Sequence, residues 1–133
     1  MNMDLKNRET KKMGINRFKN SFKYSIAGLK YAYKYEQSMT IHFFMTALVI
    51  ILGVFFKVSI AEWAILLILI GIILATELIN TALEALVDLV SPDYHELAKV
   101  AKDCASAAVF VYSIVAALIG LVVFVPKILE LLF

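Results

Sequence analysis

Three long apolar runs leave this chain little choice of architecture. Thr40 to Phe56 holds 17 residues, and its only marked polarity is His42, near the start. Trp63 to Thr76 is apolar and continues through a polar stripe to Val90. Ala105 to Val125 adds 21 residues and stops at Pro126-Lys127. At 1.5 Å per helical residue, each run with its flanks can cross a hydrocarbon core about 30 Å thick. Apolar residues form 62% of the 133-residue chain, against about 45–50% in a soluble domain. The expected fold is therefore all-α and membrane-embedded, with room for one domain. That domain spans residues 14–133, with transmembrane helices at about 40–56, 63–90 and 104–125.

The segment before the first span divides in two. Met1 to Met13 is polar and charged without an apolar period and reads as a tail. From Ile15 the residues Phe18, Phe22, Ile26, Leu29 and Tyr33 follow at helical spacings, while Arg17, Lys19, Lys23, Lys30 and Lys34 occupy much of the remaining surface. This predicts a basic amphipathic helix over 14–36 lying in the headgroup plane. Anionic headgroups account for its charge, so no nucleic-acid partner is expected. Eleven of the 13 basic residues precede the first span or lie between spans two and three, leaving Lys57 and Lys127 opposite. The positive-inside rule then places the N-terminus in the cytoplasm. The lone Cys104 excludes an intramolecular disulfide and reads as a small packing residue.

Within the second run stand Glu77, Asn80, Glu84 and Asp88, at spacings of 3, 4 and 4. On a helix they share an arc of about 80°. Each acid costs roughly 2.5–3.5 kcal/mol at a bilayer centre on insertion scales. A stripe like this persists where the acids bind a cation, relay protons or hold a substrate. The run is about 42 Å long as a helix, longer than the hydrocarbon core, so its acidic end approaches the cytoplasmic face. Glu77 and Glu84 are about 10.5 Å apart along the axis, too far to chelate one ion unaided. Glu36, at the cytoplasmic mouth of span one, is the candidate further carboxylate, and Lys102 and Asp103 start span three on the same side. Carboxylates for Mg²⁺ and a lysine for phosphate are what phosphoryl transfer needs. An ion or proton pathway would use intramembrane carboxylates too, and no Walker-type phosphate loop is present.

The residues themselves say more than their spacing. Glu77-Leu-Ile-Asn80-Thr-Ala-Leu-Glu84-Ala-Leu-Val-Asp88, followed by Tyr94-His95-Glu96-Leu97, Ala101-Lys102-Asp103 and Ser106-Ala107-Ala108, resembles the signature of the prokaryotic diacylglycerol kinase family. The resemblance covers nearly all of the chain beyond the tail. It implies a bacterial cytoplasmic-membrane enzyme that transfers the γ-phosphate of ATP to a lipid hydroxyl with Mg²⁺, as a homotrimer with sites shared between subunits. By the same resemblance Glu77 is the catalytic base, and Glu36 and Glu84 are the metal-binding carboxylates. Asn80, Asp88, Lys102 and Asp103 form the polar shell that places nucleotide and metal. Arg17, Tyr24, Asp93, Tyr94 and His95 are further nucleotide contacts, and Ser106 is a lipid-side contact. The Ile60-Ala61-Glu62-Trp63 entrance to span two and the Val125-Pro126-Lys127 ending resemble the Gram-positive, undecaprenol kinase branch. Undecaprenol is thus the expected acceptor, with diacylglycerol as the alternative.

Two other classes remain as comparisons. A cation or proton transporter could use the same stripe, but the outer halves of the apolar runs hold no ionisable residue to continue a pathway. A purely structural membrane subunit leaves three buried acids unexplained.

Overall fold

A computed structural model describes residues 15–133. The tail expected over residues 1–13 lies outside them, as does residue 14. Among the described residues the chain forms four α-helices and no strand: α1 (Ile15–Tyr35), α2 (Gln37–Phe55), α3 (Ile60–Val90) and α4 (Glu96–Leu132). The last three are long and apolar enough to cross a membrane.

Of the residues in α1, only Ala32 is buried. Its apolar stripe of Ile15, Phe18, Phe22, Ile26 and Leu29 is exposed. That is the surface a headgroup-plane helix offers to lipid. The chain leaves α1 through one extended residue, Glu36 (φ −105°, ψ 114°), whose N–H still donates to the Ala32 carbonyl at 2.8 Å. Gln37 then starts α2, three residues before the expected boundary. The first turn of α2 is pinned by Met39, which is fully buried.

Helix α3 begins at Ile60, again three residues early, because Ser59 and Glu62 form a reciprocal cap. Ser59 N–H donates to Glu62 Oε2 at 2.6 Å, and Glu62 N–H donates to Ser59 Oγ at 3.3 Å. At this end Val58, Leu66, Val123 and Phe124 form the buried core that ties α3 to α4. The Trp63 ring lies directly over Gly53, where a Cβ would sit 2.6 Å from its Cη2. Trp63 is thus a packing residue between α2 and α3. In a bilayer such contacts rest on close packing, since the lipid tails are as apolar as the side chains.

The third apolar run departs most from expectation. In place of a span over 104–125, α4 covers 37 residues from Glu96 to Leu132. Its start is set by His95, whose Nδ1 accepts from Leu97 N–H at 3.2 Å. The stretch from Glu96 to Asp103, ahead of the expected span, is therefore helix as well. Pro126 lies within the helix and does not end it. A proline removes one backbone hydrogen bond, and the helix continues past it to Leu132. Beyond the proline, Lys127 Nζ pairs with Glu62 Oε1 at 3.2 Å and ties α4 to the start of α3, at the end away from the Ser91–His95 connection.

Candidate functional site

The 80° arc of polar residues on α3 lies on the face the bundle buries, as the shared period with Leu66 and Leu69 requires. Exposure rises toward the helix end. Glu77 is 1% exposed and Asn80 7%, Glu84 is half-buried and Asp88 exposed. The stripe therefore runs from the bundle interior out to the rim formed by the α1–α2 break and the start of α4.

Ser38, in the first turn of α2, donates its hydroxyl to Glu77 Oε1. Thr81 Oγ1 donates to the Glu77 backbone carbonyl at 3.0 Å. Asn80 Nδ2 donates to Glu84 Oε1 at 3.1 Å, while its buried Oδ1 has no partner among the described residues. Glu36 stands where its charge is felt by Glu84, Glu77 and Lys102 together. Burial first, then the Glu84 and Glu77 charges, pushes the Glu36 carboxyl above its ordinary value, with Lys102 opposing. Lys102 Nζ contacts Asp88 Oδ1 at 2.9 Å and joins α4 to the rim.

The other residues singled out in the sequence sit apart in a single chain. Asp103 pairs with Lys99 on the exposed side of α4 at 2.5 Å. His95 caps α4, and Asp93 and Tyr94 are exposed in the same short loop. Arg17 and Tyr24 are exposed on α1, and Ser106 is exposed on α4. Two residues near Glu77 were not anticipated, Ser38 and Thr81. A hydroxyl one turn from Glu77 on its own helix was visible in principle, whereas Ser38 needed the α2–α3 register.

The donor set at the rim is carboxylate and amide oxygen, the hard ligands that suit Mg²⁺, a cation normally held by one or two carboxylates plus substrate phosphates. Among the described residues, no three His, Cys, Asp or Glu side chains of one chain gather into a metal-holding group. Two mutually repelling carboxylates and an unpartnered buried amide oxygen nevertheless fit a cation completed by other ligands.

Two open apolar hollows lie near Glu77, lined by its neighbours on α3 and not by Glu77 itself. One, of about 330 Å³, lies among α2, α3 and α4, and its wall includes Ile41 and Ile73, each within about one turn of the Ser38–Glu77 pair. The other, of about 490 Å³, lies between α1 and α3 against Leu78 and Thr81. Volumes of this size match small-molecule pockets of about 300–1,000 Å³.

A family model for prokaryotic diacylglycerol kinase matches residues 23–124, which include every candidate site residue except Arg17. The chain is 40% identical over 113 residues to the undecaprenol kinase of Bacillus subtilis, covering 85% of this chain and 92% of that protein. It is 39% identical to a Synechocystis diacylglycerol kinase, covering 84% of this chain and 65% of that protein. Identity to the Escherichia coli K12 diacylglycerol kinase is 31%, over 77% of this chain and 84% of that protein.

Proposed function

We propose that this chain, which belongs to the prokaryotic diacylglycerol kinase family and is an ATP-using lipid kinase of the membrane, takes undecaprenol as its acceptor and yields undecaprenyl phosphate. The observation that carries the mechanism is the placing of Glu77. A carboxylate 1% exposed lies between apolar hollows on one side and the Glu36, Glu84 and Lys102 rim on the other. A lipid hydroxyl and a nucleotide phosphate arriving from those two sides would meet at this group.

In this reading Glu77 accepts the hydroxyl proton as the alcohol oxygen attacks the γ-phosphorus in line, and the bond from that phosphorus to the β–γ bridging oxygen breaks to release ADP. Glu36 and Glu84 would hold Mg²⁺, which draws charge from the β- and γ-phosphates when bound. Asn80 holds Glu84 in place through its amide and offers Oδ1 inward. Lys102, steadied by Asp88, faces the phosphates with Asp103 close by in sequence. Arg17, Tyr24, Asp93, Tyr94 and His95 contact the nucleotide, and Ser106 the lipid, once subunits assemble. Their separation in one chain favours a homotrimer whose sites are shared. The domain over 14–133 then sits in the bacterial cytoplasmic membrane with its N-terminus inside, where ATP is.

Purified protein in mixed micelles, given labelled ATP with undecaprenol and diacylglycerol side by side, tests the acceptor. Faster phosphorylation of undecaprenol is expected. A preference for diacylglycerol would move the chain to the activity that the Synechocystis and E. coli relatives are named for.

A further inference from the structure

Helix α2 supplies a group that the proposed chemistry has not yet used. Ser38 is two residues from the Glu36 break and one before the fully buried Met39. A serine in the first turn of a helix commonly turns its hydroxyl back to a nearby backbone group. Here the hydroxyl donates instead across the bundle to Glu77 Oε1, 39 residues away. Among the described residues it is the one side chain that hydrogen-bonds the Glu77 carboxylate. Met39 fixes the height of this turn against the bundle, so the hydroxyl is presented at a set place.

Glu77 has three side-chain torsions, so its carboxylate needs a partner to fix which way its two oxygens turn. Thr81 occupies its backbone carbonyl and does nothing to hold the carboxylate. A hydroxyl donating to a carboxylate is a charge-assisted bond, about twice as strong as a neutral one. It occupies Oε1, leaving Oε2 to take a proton. We infer that Ser38 is a positioning residue, which orients Glu77 so that Oε2 faces the acceptor hydroxyl. The inference rests on the kinase reading above. Ser38 itself exchanges no proton and touches neither substrate.

The test compares wild type, Ser38→Ala, Ser38→Thr and Glu77→Gln in mixed micelles with undecaprenol and labelled ATP. Ser38→Ala should lower kcat by about 10- to 100-fold, the range for losing a hydrogen bond to a charged group. KM for MgATP should stay within about 2-fold of wild type, since the rim groups are untouched. Ser38→Thr keeps the hydroxyl and should recover most of kcat. Unfolding temperatures of both variants close to wild type would separate positioning from damage to the fold. Wild-type kcat for Ser38→Ala, or equal loss in the Thr variant, overturns the role of Ser38 while Glu77→Gln stays inactive. An active Glu77→Gln variant overturns the base assignment, and the role of Ser38 with it.

Discussion

Replacing Glu77 by Gln isolates the chemistry of one carboxylate from its structural role. Gln keeps the length and one carbonyl oxygen, so the Ser38 hydroxyl retains an acceptor in place of Glu77 Oε1. What is lost is the capacity to accept a proton. General-base removal typically slows a reaction by about 10²–10⁴-fold, or about 2.7–5.4 kcal/mol at 1.36 kcal/mol per decade. With Glu77 only 1% exposed, water has poor access to replace the base, so the loss should fall at the upper end of that range. Nucleotide binding should persist, because Glu36, Glu84 and Lys102 remain. The fold should be as stable as wild type or more so, since burying a neutral amide costs less than burying a charge. Radiolabel transfer to undecaprenol in mixed micelles, fluorescent-nucleotide binding and thermal unfolding in detergent measure the three quantities separately. Turnover within about 10-fold of wild type would refute the assignment of Glu77 as base.

Glu84→Gln should leave the chain folded but shift the Mg²⁺ dependence of turnover to higher concentration, because a hard dication needs the charge. A Mg²⁺ titration of initial rate reads this. Mixing inactive Glu36→Gln and Glu77→Gln subunits should restore partial activity if sites are shared, and verified mixed trimers without recovery would assign a complete site to each chain. The raised titration of Glu36 makes its protonated form the one the fold favours. That contribution is whole below the ordinary value of 4.5 and is lost as pH rises through the folded-state value. Metal-free Glu36→Gln protein should therefore resist thermal unfolding better than wild type near neutral pH, with the difference vanishing in acid. Gly53→Ala should cost about 1–3 kcal/mol by overpacking, since the new methyl would meet the Trp63 ring at 2.6 Å. Denaturation in detergent, followed by Trp63 fluorescence, checks it.

Much of this architecture could be read from residue order alone. The spans declare themselves by length, and the Glu77, Asn80, Glu84, Asp88 period places those residues on one face before any packing is known. The α1 stripe was equally legible, since Phe18, Phe22, Ile26 and Leu29 repeat at the helical period. The end of α4 was not, because a proline after an apolar run reads as a terminator, whereas the helix continues past Pro126 to Leu132. The start of α4 was obscured by charge, as Lys99, Lys102 and Asp103 look like loop residues until paired along or between helices. The Ser38–Glu77 and Glu62–Lys127 contacts join positions far apart in sequence, and only the packing of spans brings them together.

The unequal lengths of the spans make bilayer thickness a variable in the chemistry. With 19 residues, α2 is about 28 Å long and barely matches a hydrocarbon core of about 30 Å, whereas α3 and α4, with 31 and 37 residues, have length to spare. The short helix carries Glu36 at one end and Phe56-Lys57 at the other, and through Ser38 it also touches Glu77. A thicker bilayer can be met by the long helices through less tilt, but it draws the polar start of α2 toward the acyl chains. Lipid chain length should thus alter turnover through the depth at which one short helix floats.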